Sequence, residues 1–157
     1  PAATQIFFSP TDNDLWVASP THFNRYDSKD FSHKESIPLN NIYSYFSILD
    51  DGTVWMSSEN AISLYNIPQH CFIEVPDALN KHKTFGKSHV TYIYPYKDDS
   101  LLLCTEKQGM YIYNRVENNL KHQSEKGFPF EVPDMKITCM YTDSRDNLYH
   151  PISVGRN

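Results

Sequence analysis

The chain has 157 residues and a formal net charge of −5, enough for one domain with a sizeable core. Its 14 Lys and Arg residues are scattered and form no basic stripe, which argues against nucleic acid as a partner. No run approaches the roughly 20 apolar residues of a membrane helix, and no signal peptide is visible.

A unit of sequence recurs four times in chain order. Each copy has an extended apolar or aromatic segment, then a turn rich in Asp, Asn or Gly, then a second segment with a bulky residue. The turns and second segments read DNDLWVAS, DGTVWMSS, DDSLLLCT and RDNLYHPI. They align Trp16, Trp55, Leu102 and Tyr149, at spacings of 39, 47 and 47 residues. A period of this length suits a four-stranded blade.

Two further segments follow each second segment. The third segments, HFNRYD, AISLYN and GMYIYN, alternate in polarity and end in Tyr followed by Asp or Asn. The fourth segments, FSHKES, CFIEV and LKHQS, are less regular. Four strands per unit predict blades over residues 2–36, 37–84 and 85–133, and an incomplete blade over 134–157. The stretch DALNKHKTF is predicted to be a loop between blades, with a turn of helix as the alternative.

The turn residues support this reading. Asp51-Gly52 is a strong hairpin dipeptide, because Gly tolerates a positive φ. The other copies lack Gly, but Asp and Asn also tolerate the left-handed region. The turns of these other copies are Asp12-Asn13-Asp14, Asp98-Asp99-Ser100 and Arg145-Asp146-Asn147.

The repeat resembles that of two-component regulator propellers, D-x-x-G-N-L-W-I-G-T…G-L-Y-x-Y-D. The match is clearest at Asp50–Asn66, good at Asp98–Asn114 and partial at Asp12–Asp27, and it begins again at residue 143. The resemblance implies an all-β partial propeller of about three and a half blades, each a four-stranded antiparallel sheet. Closed propellers have four to eight blades, so we expect the chain to be a fragment of a longer propeller.

The resemblance also implies a function. It predicts a non-catalytic, periplasmic sensor region of a hybrid two-component protein whose parent is a membrane-anchored histidine kinase. The expected ligand is an oligosaccharide, with no cofactor. Because an open array of blades exposes core faces, we expect the chain to self-associate or to form a homodimer.

Two alternatives remain open at this stage. The acidic pairs Asp50/Asp51 and Asp98/Asp99 suggest a carbohydrate-active hydrolase or lyase, although their place in the repeated turn favours a hairpin role. A protein-interaction propeller is the other, but the Gly-His and Trp-Asp signatures of WD repeats are absent. The seven His residues form no HExxH or HxH pair, so no metal site is predicted.

Ligand contacts are expected where the second strand connects to the third and where the chain enters each first strand. The candidate residues are Thr21, His22, Asn41, Glu59, Asn60, His89, Glu106, Lys107 and Gln108. Aromatic residues that stack on sugars would come from the irregular connections, which contain Phe85, Phe128 and Phe130. The three cysteines, Cys71, Cys104 and Cys139, sit in apolar runs and are expected to be buried in strands.

Overall fold

In the computed structural model, the described residues are 5–59, 61–129, 131, 141–142 and 148–149. Within them, the strands form three four-stranded antiparallel sheets and one two-stranded sheet. Each four-stranded sheet keeps the strands in chain order, as a meander does. The predicted all-β fold of four-stranded antiparallel blades is therefore confirmed. The chain divides into two compact units, Pro1–Val75 and Pro76–Asn157.

The first unit contains two of the sheets. The first sheet consists of β1 (Gln5–Phe8), β2 (Leu15–Ala18), β3 (His22–Tyr26) and β4 (His33–Pro38). The second consists of β5 (Tyr45–Ile48), β6 (Thr53–Ser57), β7 (Ile62–Asn66) and β8 (Cys71–Ile73). β4 extends two residues past the predicted blade end at residue 36, because Ile37 packs against the core of this unit.

The second unit contains the third four-stranded sheet and the two-stranded sheet. The third sheet consists of β9 (Val90–Tyr96), β10 (Ser100–Thr105), β11 (Met110–Asn114) and β12 (Asn119–His122). The pair is β13 (Tyr141–Thr142) and β14 (Leu148–Tyr149), within the range of the predicted incomplete blade. Helix α1 (Asp77–Asn80) and a 3-10 helix (Phe85–Lys87) precede β9. The stretch predicted to be a loop thus contains helical turns, in which Leu79 and Phe85 are buried.

The strand pairing confirms the equivalence of the aligned bulky residues. Trp16 faces Phe7 and Arg25 across the first sheet. Trp55 likewise pairs with Ser47 on the first strand and Leu64 on the third, and Leu102 pairs with Tyr94 and Ile112. The backbone of Tyr149 pairs with that of Tyr141 in the two-stranded sheet.

The core of the first unit lies between its two sheets. Trp16 is fully buried and stacks on Phe23, with ring centroids 4.4 Å apart. Facing them from the second sheet are Phe46, Val54 and further buried residues of that sheet. Each fully buried side chain of this size contributes about 1.5–3 kcal/mol of transfer free energy. Trp16, the aligned bulky residue of the first sheet, is therefore part of this core.

The turns have the predicted backbone conformations. Gly52 has a φ of +79°, and a Cβ atom there would lie 2.8 Å from Pro68 Cδ, so the position requires glycine. The equivalent turns use non-glycine residues with positive φ, namely Asn13 at 58°, Asp98 at 53° and Asp99 at 55°. Short polar side chains tolerate this region, as the sequence predicted.

The cysteines follow the prediction only in part. Cys104 is buried in β10, and its burial raises the pKa of the thiol to about 12. Cys71 is exposed, so the prediction of burial is wrong there, because β8 is an outermost strand of its sheet. Both thiols are free, and Cys139 lies outside the described residues.

We expect Trp16→Ala to lower the free energy of unfolding by about 3–5 kcal/mol. The substitution removes a fully buried ring and the indole N–H that donates to Asp12 Oδ2 at 3.2 Å. Urea denaturation followed by circular dichroism measures the change. Val116→Ala is the control, because Val116 is exposed and should shift stability by less than about 0.5 kcal/mol. Equal effects of the two substitutions would contradict the assigned core.

Candidate functional site

The predicted ligand residues gather around three connections that we call tip loops. Tip loop 1 (19–21) joins β2 to β3, tip loop 2 (58–61) joins β6 to β7, and tip loop 3 (106–109) joins β10 to β11. Thr21 and His22 are exposed, and Thr21 Oγ1 lies 3.0 Å from His22 Nδ1 in a hydrogen bond. Glu59 is exposed on tip loop 2, and the predicted Asn60 lies outside the described residues.

The link between the two sheets of the first unit contacts both of its tip loops. Leu39 N donates to Thr21 O at 2.9 Å, and Tyr43 N donates to Pro20 O at 3.2 Å. The side chain of Asn41 donates from Nδ2 to Ser58 Oγ at 3.2 Å. The structure therefore brings Thr21, Asn41 and tip loop 2 to one end of this unit.

The second unit groups its predicted residues in the same manner. Glu106 N donates to His89 O at 3.0 Å, and His89 Nδ1 lies 3.7 Å from Glu106 Oε2. His122 Nε2 donates to Gln108 O at 2.7 Å. The side chains of Glu106, Lys107 and Gln108 are exposed. Whether any of them contacts a ligand stays a prediction.

An aromatic and histidine cluster beside tip loop 3 was not predicted. The buried ring of Tyr111 contacts Phe85, with centroids 5.0 Å apart, and also the imidazoles of His82 and His122. Phe85 is itself buried, so it cannot stack on a sugar, and that prediction is wrong. Phe128 packs partly buried against the third sheet. Phe130 lies outside the described residues.

The opposite end of the first sheet carries an ion-pair cluster, formed by Asp12, Asp14, Arg25, Asp27 and Lys34. Arg25 Nε donates to Asp14 Oδ2 at 2.6 Å. Lys34 Nζ lies 2.8 Å from both Asp14 Oδ1 and Asp27 Oδ2. The hydrogen bond from Lys34 lowers the pKa of Asp14, and it lowers the pKa of Asp27 to about 2.

The ion-pair cluster is joined to the core through Trp16. Asp12 Oδ2 accepts the indole N–H at 3.2 Å and lies 3.3 Å from Arg25 Nε. The Arg25 guanidinium carbon lies 5.8 Å from the Trp16 ring centroid, within the range of a cation–π contact. The repeat pattern in the sequence predicts only a turn role for Asp12 and Asp14. Their ionic partners stand on later strands and become visible only when the meander is closed.

A cleft of about 260 Å³ lies on the third sheet, at the end opposite tip loop 3. None of the predicted ligand residues lines it. The lining residues are Tyr96, Lys97, Asp98, Ser100, Ile112, Asn114, Glu117, Asn119, Lys121, Gly127 and Pro129.

Two features are absent from the residues that the structure describes. Across these ranges, no three His, Cys, Asp or Glu side chains are grouped so that they could hold a metal ion. Neither helix in the described part of the chain has the length and apolar character needed to cross a membrane.

Comparison with known proteins identifies the fold. The sequence matches no protein-family model and no curated protein. The structure is similar to the extracellular domain of the putative hybrid two-component system BT3049 from B. thetaiotaomicron, with a TM-score of 0.64, 17% identity, and coverage of 96% of this chain and 19% of that chain. It is also similar to the extracellular domain of the putative hybrid two-component system BT4673 from the same organism, with a TM-score of 0.70 and 17% identity. That match covers 98% of this chain and 21% of that chain. The WD40 β-propeller domain of Doa1 matches with a TM-score of 0.66 and 15% identity, over 97% of this chain and 48% of that chain.

These similarities confirm the predicted resemblance at the level of the fold. The chain, whose strands form four-stranded antiparallel sheets, shares its fold with these three structures, and the domain of Doa1 among them is a β-propeller. The chain spans about a fifth of the two bacterial extracellular domains that it matches.

We expect Lys34→Met to lower the melting temperature at pH 7 by about 2–4 °C. Lys34 lowers the carboxyl pKa values in the folded state, so its stabilisation is present above the unfolded pKa near 3.8 and is lost as the pH falls towards 2. The difference between variant and wild type should therefore shrink between about pH 5 and pH 2. Scanning calorimetry across this range measures it.

Lys29→Met is the matched control, because Lys29 bonds Asp27 through its backbone N–H rather than its ammonium group. We expect this variant to melt as the wild type does. A difference for Lys34→Met that stayed constant with pH would contradict the role assigned to the ion pairs.

Proposed function

We propose that the chain is part of the periplasmic sensor region of a hybrid two-component regulatory protein, and that it binds an oligosaccharide without chemical turnover. The parent would be a membrane-anchored histidine kinase. One observation carries the proposal: nearly the whole chain shares its fold with the extracellular domains of two such systems. The repeat resemblance, found independently in the sequence, supports the same class.

The tip loops have the chemistry that a sugar ligand needs. Their exposed groups are hydroxyl, imidazole, amide, carboxylate and ammonium, which together donate and accept hydrogen bonds to sugar hydroxyls. In the first unit these groups belong to Thr21, His22 and Glu59, and in the second to Lys107 and Gln108. Rigid sheets that display variable polar loops are a common arrangement for binding.

The acidic residues considered for glycoside cleavage have structural contacts instead. Asp51 Oδ1 accepts the backbone N–H of Thr53 at 2.8 Å, which closes the turn. Asp99 pairs with Arg115, whose Nη2 lies 2.9 Å from Asp99 Oδ1. These contacts support the hairpin role of both acidic pairs and favour the sensor over the hydrolase or lyase.

The test uses the complete extracellular region and a panel of oligosaccharides in titration calorimetry, with chromatography of the products. We expect one glycan class to bind and to be recovered unchanged. Turnover of a glycan would replace the sensor with the enzyme. Tight binding of a peptide or protein alone would favour the interaction propeller.

A matched pair of lysines tests the location of the site. Lys107 is exposed on tip loop 3, and Lys97 is exposed on the turn at the opposite end of the same sheet. We expect Lys107→Ala to weaken glycan binding about three- to tenfold, because the net contribution of one solvent-exposed hydrogen bond is about 0.5–1.5 kcal/mol. Lys97→Ala should leave the affinity unchanged. The reverse result would move the site to the other end.

We also propose that the chain self-associates through the outer face of its first sheet. Ile6 and Phe8 on this face are 60% and 59% exposed. By strand register, they correspond to Phe46 and Ile48, which are fully and half buried in the second sheet. Exposed apolar side chains in this position favour contact with a second apolar face.

We expect Phe8→Asp to shift the chain towards monomer in sedimentation velocity at high protein concentration. Val116→Asp is the control, because Val116 is an exposed apolar residue on the β11–β12 turn and not part of the first sheet. A wild-type chain that stays monomeric throughout would contradict the proposed self-association.

A further inference from the structure

A buried hydroxyl lies at the base of every tip loop. Ser19, Ser58 and Thr105 each stand three residues after the aligned bulky residue of the second strand. Their relative exposures are 4%, 5% and 2%, although the loops that they support are exposed. A buried polar group needs hydrogen-bond partners, so the bonds of these hydroxyls show their task.

In tip loop 1, the hydroxyl bonds both polar groups of one backbone position. Ser19 Oγ donates to His22 O at 3.0 Å and accepts from His22 N at 3.0 Å. The backbone N–H of Ser19 donates to the same oxygen at 2.9 Å. The side chain therefore holds the turn closed at the point where Thr21 and His22 are displayed.

Tip loop 3 repeats this arrangement, with one more residue between the hydroxyl residue and the carbonyl group that it bonds. Thr105 N and Thr105 Oγ1 both donate to Gly109 O, at 2.9 and 2.8 Å. Thr105 Oγ1 accepts from Gln108 N at 3.0 Å. The hydroxyl keeps its donor and acceptor roles although the loop is longer.

In tip loop 2, the hydroxyl oxygen accepts a hydrogen bond from a side chain instead of a backbone N–H. Ser58 N and Ser58 Oγ donate to Ala61 O, at 2.9 and 3.3 Å. Ser58 Oγ accepts from the side chain of Asn41 at 3.2 Å, while Asn41 Oδ1 accepts from Ile42 N at 2.8 Å. Both polar ends of Asn41 are thus engaged within the protein, which argues that it holds the loop rather than a ligand.

We propose that Ser19, Ser58 and Thr105 are positioning residues, which hold the tip loops in the conformation that binds ligand. Asn41 assists Ser58 in this role. The proposal rests on the sensor function for its ligand, but the loop geometry stands without it. Because a hydroxyl both donates and accepts, one side chain can satisfy two polar groups of the loop that the loop backbone does not bond by itself. A loop ordered before binding loses less conformational entropy when the ligand arrives.

The first arm of the test needs no ligand. Amide hydrogen exchange of the whole chain is measured for wild type, Thr105→Val and Thr105→Ser. We expect Thr105→Val to raise the exchange rate of the Gln108 amide about three- to tenfold, since one hydrogen bond contributes about 0.5–1.5 kcal/mol. Thr105→Ser keeps the hydroxyl and should stay within about twofold of wild type.

Thr53→Val is the matched control, because Thr53 is a buried threonine at the end of the second sheet away from its tip loop. It should leave Gln108 exchange unchanged. An unchanged Gln108 rate in Thr105→Val would overturn the positioning role. So would an equal rise in Thr53→Val, since that would show a general loss of stability.

The second arm measures affinity in the complete extracellular region, with the oligosaccharide that binds most tightly in the panel. We expect Thr105→Val to weaken binding about three- to tenfold, and Thr105→Ser to restore it. Faster exchange with unchanged affinity would overturn the positioning role and leave the sensor function standing. If no oligosaccharide binds the wild type, the sensor proposal fails, while the exchange arm still decides whether the hydroxyls hold the loops.

Discussion

The structure of the first unit depends on the burial of one sheet face against the next. Trp16 and Phe23 of the first sheet fill the space against the second sheet, where Phe46 and Val54 are fully buried. In the second and third sheets, β6 and β10 are buried at every position, whereas β2 alternates between half-buried and buried residues. The half-buried residues of β2, Leu15 and Val17, pair with the exposed Phe8 and Ile6 of β1 on the outer face of the first sheet.

Face-to-face burial confines polar chemistry to the ends of the sheets. At one end of the first sheet, Asp14 is buried and its two oxygens accept from Arg25 and Lys34, so that end is held by charge pairs within one sheet. At the other end, a hydroxyl closes the turn and leaves Thr21 and His22 exposed. At the first end, the charged side chains are therefore paired with one another. At the second end, polar side chains are exposed to solvent.

The strand order and the turn conformations could be predicted, because each depends on short-range pattern. The spacing of Trp16 and Trp55 was sufficient to place both in equivalent second strands. Contacts between distant residues were not accessible in this way. Phe85 packs against Tyr111, and one of the two partners of Asp14 is a lysine 20 residues later. For the same reason, sequence could nominate Asn41 for the site but could not show that its side chain donates to Ser58 Oγ.

The third tip loop shows how a fixed frame accommodates loops of different length. Tip loops 1 and 2 close with a bond from the hydroxyl residue to the residue three positions later, but Thr105 reaches Gly109, four positions later. The extra residue is accommodated because Gly109 has a φ of +69°, where other residues are strained. A Cβ atom there would lie 2.6 Å from Gln123 Oε1, which accepts the N–H of Met110 at 2.7 Å. The longer loop therefore needs both the hydroxyl and the glycine, which explains why the repeat keeps Gly109 in this blade alone.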